Sequence, residues 1–545
     1  MRKPFPERTR STARISDGVN LRVCGWIIQQ IRSISALADY PTAFNNYSAK
    51  PGTITILHGI AFANPFLPER VEFEKEALGD KFDPETREFW SWSFNDQLDR
   101  PNNLLLERLV HELTTKLRAK ISAADSVEEE DLQLYDDLAL YVLYYSAIFN
   151  TAQNAKEICL TEFDWDKFHE AFEYWMNIDG KKSPSYGQAA HVFAYLHQLK
   201  RAFINIFHCV IGQSLPIAQL RARIFQSIFT HDLRRYRDSL YKSMQEVTTL
   251  VVGSTGTGKE LVAKAIGTSQ YIPFNVKNKQ FQCNSAEQFV ALNLTAFTPT
   301  LIESELFGHE KGSFTGATTR RIGWLESIGT CGALFLDEIG ELDLAIQVKL
   351  LRVLQNREFQ RIGENKTRRF EGKFIAATNR NLMDEIEANS FRQDFYYRLC
   401  SDVIVTPSLK EQIASRSEEF EFLVDFTARR LAPDAKDELK ADVMKWFSSS
   451  TMSTYDWPGN MRELEQCVRS IMIHNSYRPA TRTKGRDNCD FADQLNECQL
   501  SAEQVLSEYC KMAYRKYGSY EKAGAVLKMD RRTLRAKSSQ TFDSD

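Results

Sequence analysis

The chain has 545 residues, with 69 Lys and Arg against 72 Asp and Glu and a formal net charge of -3 at pH 7. At roughly 100–200 residues per domain, that length holds about three or four folding units. With 43% hydrophobic and 26% charged residues, the composition excludes wholesale disorder and fibrous repeats, and the near balance of charge excludes a uniformly basic nucleic-acid coat while leaving room for a local basic patch.

Residues 1–212 read as a mainly helical domain of no recognisable type. No alternating strand pattern carries the acidic pair and later lysine of a phosphoacceptor domain. The stretch 102–122 repeats apolar residues at three and four, placing Leu105, Leu109, Leu113, Leu117 and Ile121 on one helix face. A second helix is expected from Val127 to Phe149, with Ser126 as N-cap and Glu128 to Asp131 in its first turn. Further helices are expected at 165–177 and 187–210. The aromatics Trp90, Trp92, Phe163, Trp165, Phe168, Phe172 and Trp175 are read as core rather than as a ligand pocket.

The pattern changes near Gly212. From Gln245 onward short apolar strands at 248–253, 289–294, 332–339 and 373–379 alternate with helices, which predicts an α/β fold with a parallel sheet over residues 213–408. Helices are expected again at 418–432, 438–449 and 460–474, within a helical segment 409–475. A polar linker, 476–500, leads to a small α unit, 501–545. Ten cysteines include no C-x-x-C pair, so neither a zinc site nor a disulfide framework is expected, and the usage suits a reducing cytoplasm. No apolar run approaches the ~18 residues that span a bilayer. The basic N-terminus leads into no apolar segment of a signal peptide, so no membrane partner is expected.

The strand TTLVVG runs into GSTGTGKE and a helix, the strand–turn–helix context of a P-loop. Gly253, Ser254, Thr255, Gly256, Thr257 and Gly258 form the turn. Its glycines let successive N–H groups converge on a phosphate at a helix N-terminus. Lys259 reaches the β and γ phosphates of ATP. Glu260 stands where a magnesium-ligating hydroxyl is usual, which leaves Mg2+ to the second acidic motif and water. That motif is ALFLDEIGEL. Asp337 is placed to hold Mg2+ and Glu338 to orient or deprotonate the attacking water, at the strand-end edge where α/β sheets bind ligands. Asn379 ends the next strand, as a water holder or a plain turn former. Arg392 and Arg398, six apart on an expected helix, are either surface ion pairs or arginine fingers reaching a neighbouring subunit.

The strings GSTGTGKELVAKAIG, ESELFGHEKGSFTGA, ALFLDEIGEL, QVKLLRVLQNREFQRIG, FRQDFYYRL and YDWPGNMRELEQ, in that order, resemble the AAA+ domain of sigma-54-dependent transcriptional activators. The resemblance implies a P-loop ATPase that forms a homo-oligomeric ring, usually a hexamer, and remodels sigma-54 RNA polymerase holoenzyme. It makes Glu260 the expected residue. It also implies that Asn293 holds Glu338, that Asn379 is the first sensor, that Arg392 and Arg398 are fingers in trans, and that Arg462 is the sensor of the lid. Gly312, Ser313, Phe314, Thr315, Gly316 and Ala317 would be the loop that touches sigma-54, an aromatic on a mobile tip. Ser313 departs from the family's alanine, Leu294 from its cysteine, and residues 275–288 look like an insertion.

At the C-terminus, YGSYEKAGAVLKMDRRTLRAK (517–537) resembles a Fis-type helix-turn-helix. Ala523, Val526 and Leu527 would pack its first helix. Residues 515–537 carry eight Lys or Arg and two Asp or Glu. Arg531, Arg532, Thr533, Arg535 and Lys537 are candidates for contacts with double-stranded DNA. The implied function is an ATP-dependent transcription activator. The alternative is a DNA-binding regulator that keeps the AAA+ fold but acts as repressor or scaffold without sigma-54.

Overall fold

The computed structural model describes residues 64–66, 69–83, 101–149, 164–284, 289–314, 316–449, 455–479 and 501–538. The expectations for Trp90, Trp92, Phe163, Thr315 and most of 476–500 lie outside them. By contacts the chain divides into two compact units, residues 1–472 and 473–545.

The first unit is built on a five-stranded parallel sheet: β1 (Thr249–Val252), β2 (Phe289–Asn293), β3 (Ala333–Asp337), β4 (Lys373–Thr378) and β5 (Asp402–Val405), in the order β5-β1-β4-β3-β2. β3 and β4 are continuous apolar runs because both faces are covered. Alternate residues enter two separate cores. Val251, Phe335, Ile375 and Ala377 enter one, and Leu250, Leu334, Leu336, Phe374 and Ala376 the other.

The first core is shared with the N-terminal helices. These are α1 (Glu69–Leu78), α2 (Pro101–Ala123), α3 (Glu129–Phe149), α4 (Trp165–Met176), α5 (Ala189–Cys209), α6 (Leu215–Phe229) and α7 (Leu233–Asp238). The apolar cluster runs from Phe66 through Phe172 and Phe193 to α8 (Lys259–Gly267), the helix after the P-loop. α5 packs along α8. The boundary expected at residue 212 therefore marks no break in the core. Trp165, Phe168, Phe172 and Trp175 are buried, as core residues. The face of α2 differs from expectation in its first turns: Leu106 and Val110 are buried while Leu105 and Leu109 are half-buried. α3 starts at Glu129, so Ser126 is not its N-cap, although Glu129, Glu130 and Asp131 do fill its first turn.

Two further differences concern the sheet. β5 was not expected: four residues, DVIV, add an edge beside β1. The insertion begins as a hairpin, Phe274–Asn275 against Gln280–Phe281. Asn275 closes it by accepting from the N–H groups of Lys277 and Asn278 at 2.9 and 3.4 Å. Against expectation, a disulfide joins Cys283 to Cys331, 48 residues apart. Parallel pairing of β2 with β3 brings the two together, and no local motif announces it.

The second core is closed by α9 (Pro299–Phe307), α10 (Leu344–Asn356) and α11 (Gln393–Leu399). The lid is α12 (Leu409–Ser415), α13 (Glu419–Leu431), α14 (Lys436–Ser449) and α15 (Asn460–His474). Ser408 caps α12 through a reciprocal capping box with Glu411. Among the described residues no helix is long and apolar enough to cross a membrane.

The second unit holds α16 (Ala502–Tyr517), α17 (Tyr520–Leu527) and α18 (Arg531–Ser538). Its core is Cys510, Ala513, Ala523 and Leu534. Gly524 is required where α17 meets the turn, because a Cβ there would lie 2.7 Å from the Met529 carbonyl oxygen. Leu527 is half-buried beside this core. Val526 was expected to pack there and instead is 55% exposed, because Ala523 and Gly524 take the buried face of α17.

Candidate nucleotide site and its loops

β1 ends at the P-loop. Gly256 (φ +83°) and Gly258 (φ +88°) adopt left-handed backbone, the conformation that costs glycine least. Gly258 is the N-cap of α8 and Lys259 its first residue. The Lys259 ammonium folds back on its own loop, donating to the carbonyls of Gly253 (3.0 Å) and Ser254 (3.5 Å). The Thr257 hydroxyl shares a hydrogen bond of 2.7 Å with that of Thr406. Ser254, Thr255 and Glu260 are exposed.

Asp337 closes β3, and Glu338 follows at φ +57°, ψ 50°. A left-handed non-glycine residue costs on the order of 1–3 kcal/mol and is concentrated at functional sites. The Glu338 N–H donates to the Asp337 carboxylate at 3.0 Å. Asn379 bridges the two motifs: its backbone N–H donates to Glu338 Oε2 (3.3 Å), and its side-chain Nδ2 donates to the Thr255 hydroxyl (3.2 Å). Glu338, Asn379 and the P-loop thus meet at one sheet edge.

Asn293 ends β2 directly opposite Asp337. Its side-chain oxygen accepts from the N–H (3.0 Å) and hydroxyl (2.6 Å) of Thr295 rather than holding Glu338. Asparagine caps the short 3-10 turn 294–296 that follows, and this local bond wins. Arg392 sits at the N-cap of α11 rather than within it, and pairs with Asp394 at 2.7 Å. The pairing raises the guanidinium pKa and lowers that of the carboxyl. Arg398 is exposed in the last turn of α11.

The lid touches the P-loop through a residue that the motif reading passed over. Asn460 (φ +50°, 2% exposed) donates from Nδ2 to the Thr255 carbonyl at 3.0 Å. Its Oδ1 accepts from the Leu409 N–H at 2.8 Å. The Met461 N–H donates to Gly256 O at 3.1 Å. A Cβ on Gly256 would lie 2.2 Å from the Gly459 carbonyl oxygen. Glu463 steadies this corner, accepting from the Gly459 N–H (2.8 Å) and the Tyr455 hydroxyl (2.5 Å). Arg462 is exposed beside Gly256. The only sequence signal for Asn460 was its place in the turn-forming WPGN.

The loop 312–317 rises from a two-residue hairpin stem, Gly308–His309 against Arg321–Ile322. It is a compact turn: Gly312 N–H donates to Ala317 O (2.8 Å) and Ala317 N–H to Phe314 O (3.0 Å). Gly312 and Gly316 have φ of +82° and +103°. Phe314 is 45% exposed, its ring 5.0 Å from that of His309. Ser313 packs on Gly363, and its buried hydroxyl finds no partner among the described residues. Arg361, fully buried below, donates to Glu310 (2.7 Å) and to both oxygens of Glu326 (2.8 and 2.6 Å).

In the second unit, Arg532, Thr533 and Arg535 are exposed on α18. Arg531 lies 3.4 Å from Glu521. Lys537 is half-buried and 3.2 Å from Glu503, which makes it the least available of the five DNA candidates.

The sheet order, the P-loop after β1 and the acidic pair after β3 define an AAA+ P-loop ATPase module. Residues 229–405 match the family model described as the Sigma-54 interaction domain. The transcriptional regulatory protein ZraR of Salmonella typhimurium is 43% identical over 232 residues, 42% of this chain and 47% of that protein. The Nif-specific regulatory protein of Azotobacter vinelandii is 41% identical over 254 residues, 46% of this chain and 45% of its own. The signal-transduction and transcriptional-control protein of Clostridium beijerinckii is 36% identical over 349 residues, 62% of this chain and 50% of its own. The chain spans about half the length of the curated relatives it matches. Its central module is similar to the sigma-54 interaction domain that these transcriptional regulators share.

Proposed function

We propose that the chain is a cytoplasmic ATP-hydrolysing transcription activator that remodels sigma-54 RNA polymerase at promoters while bound to upstream DNA. The observation that carries this reading is the meeting of Lys259, Glu338 and Asn379 at one sheet edge in a module that also presents Phe314 on a glycine-flanked turn.

The P-loop N–H groups and the α8 N-terminus suit a triphosphate. Lys259 would exchange its carbonyl partners for phosphate oxygens. Asp337 would hold Mg2+, which neutralises charge on the phosphates when bound. Among the described residues no group of three or more His, Cys, Asp and Glu is set to hold an ion by itself, so the ion would rest on Asp337, phosphate oxygens and water. Glu338 would position and deprotonate the attacking water, with Asn379 fixing its carboxylate. Asn293 would engage Glu338 only after leaving Thr295. Arg392, freed from Asp394, and Arg398 would reach the nucleotide of the next subunit in a ring, a hexamer in this reading. Asn460 and Arg462 would pass nucleotide state to the lid, and Arg361 would pass it to the loop 312–317.

Residues 501–545 would bind DNA through α18, with Arg532, Thr533 and Arg535 leading, Arg531 next and Lys537 least. Residues 1–212 would be the regulatory layer. Promoter opening by purified sigma-54 holoenzyme tests the whole. Phe314→Ala is expected to keep ATP turnover and lose opening. Equal opening by the variant would overturn the reading. In a DNA-binding titration, Arg532→Ala is expected to weaken binding and lower the salt slope by about one.

A further inference from the structure

β2 is the edge strand of the sheet and pairs with β3 alone, from Phe289↔Ala333 to Asn293↔Asp337. Its residues are half-buried or exposed, so packing holds it weakly. The disulfide ties the other end of the same strand pair. Cys331 is buried (2% exposed) two residues before β3, and Cys283 is half-buried six residues before β2. The two strands that leave this staple end at Asn293 and at Asp337–Glu338.

The staple also has a second attachment. Cys283 follows the insertion hairpin, whose Phe274 ring lies 4.9 Å from Trp165 and 4.6 Å from Phe193. Phe281 lies 4.2 Å from His197, and Lys279 pairs with Asp166 at 2.6 Å. The bond therefore joins the N-terminal helical layer to the root of the strand that carries the catalytic carboxylates.

We propose that Cys283 and Cys331 form a reversible thiol–disulfide modification site whose oxidation state sets turnover at the nucleotide edge. The effect on turnover rests on the ATPase reading above; the modification itself does not. In the oxidising direction two thiols lose two protons and two electrons, the S–S bond forms, and a peroxide is cleaved to two waters. In the reducing direction the thiolate of a dithiol attacks Cys283 Sγ, the more exposed sulfur. Cys331 leaves as a thiolate and takes up a proton, and the second thiol of the reductant then releases Cys283. The closed form fixes the register of Asn293 against Asp337. The open form leaves an edge strand held by its pairing with β3 and by the half-buried packing of Phe289, Val290 and Leu292. The P-loop lies at the C-terminal end of β1 and the N-terminal end of α8, whereas it is the last residue of α8, Gly267, that packs near the staple on Phe289 and Ala333, so turnover changes and phosphate binding does not.

The test uses the full chain, divided between hydrogen peroxide and dithiothreitol. Free thiols are blocked with N-ethylmaleimide and the digests are mapped by mass spectrometry. A cross-linked Cys283–Cys331 peptide is expected after peroxide, and both cysteines alkylated after dithiothreitol. Reduction is expected to lower kcat for ATP about threefold or more, to leave KM within about twofold, and to lower the thermal midpoint by a few degrees. Cys283→Ala, a change at a half-exposed position, should show the reduced kcat and ignore dithiothreitol. Cys209→Ala should respond like the parent chain. Absence of the cross-linked peptide after peroxide, or equal kcat in both states, overturns the proposal. If neither sample hydrolyses ATP, the function reading falls instead, and the peptide map with the thermal midpoint still decides whether this site exists.

Discussion

At the C-terminal edge of the sheet, Asp337, Glu338 and Asn379 are polar groups left partly open and held by hydrogen bonds near 3 Å and by left-handed backbone. In the helical layer that shares a core with one face of the same sheet, α2, α4 and α5 present Leu106, Phe172 and Phe193, each fully buried. On the proposed reading the edge spends its residues on chemistry, where identity matters and packing hardly does. The face spends them on excluding water, where volume matters and identity less. Mutation should therefore separate the two: edge changes alter rate at constant stability, and face changes alter stability first.

The largest separation is expected at Lys259 and Glu338. Alanine at either should lower ATP turnover by about 10²–10³ or more, with the thermal midpoint unmoved; a variant that unfolds would break the distinction. Next is the face. Phe193 stands within 5.2 Å of the rings of Trp165, Phe168 and Phe274, so Phe193→Ala should cost about 3–5 kcal/mol in a denaturant titration. Deleting residues 1–212 goes further. It uncovers α8 and the Val251 side of the sheet, and the remainder should aggregate on expression rather than reveal a freed ATPase. A soluble, active truncation would show that the layer is detachable after all.

Asn460 lies where the two kinds of region meet. Asn460→Gly keeps the positive φ and removes the bridge from Leu409 to Thr255. It should raise KM for ATP several-fold, within about 1–3 kcal/mol, with a smaller change in kcat. The smallest effect is expected at Ser313. Its hydroxyl is buried without a partner among the described residues, so Ser313→Ala should stabilise the unit by about 1 kcal/mol or less, read as a slight rise in the thermal midpoint.

The same contrast governs what could be read before folding. Phosphate chemistry demands glycine, lysine and paired carboxylates at short spacing, so the P-loop and ALFLDEIGEL were legible, as were the apolar runs of β1 to β4. β5 was hidden because DVIV is too short to stand out from its surroundings. The left-handed backbone of Glu338 and the capping bond of Asn293 are tertiary outcomes with no marker of their own. Helix faces were right in type and displaced only locally: Leu113, Leu117 and Ile121 of α2 are buried as expected, while in its first turns the core is reached through Leu106 and Val110, one residue beyond the expected stripe. The unbroken core across residue 212 was illegible because the expected boundary followed texture, whereas the core follows the alternate residues of the sheet. The pairing of Cys283 with Cys331 depends on strand register, which spacing alone does not supply.

α18 has eight residues, so it rises only about 12 Å, roughly the width of one major groove. On the proposed DNA-binding reading, a head that short would inspect three or four base edges, a word that recurs by chance throughout any genome. An address rare enough to be useful would then be spelled twice, with two such heads docked about one helical turn of DNA, or a multiple of it, apart.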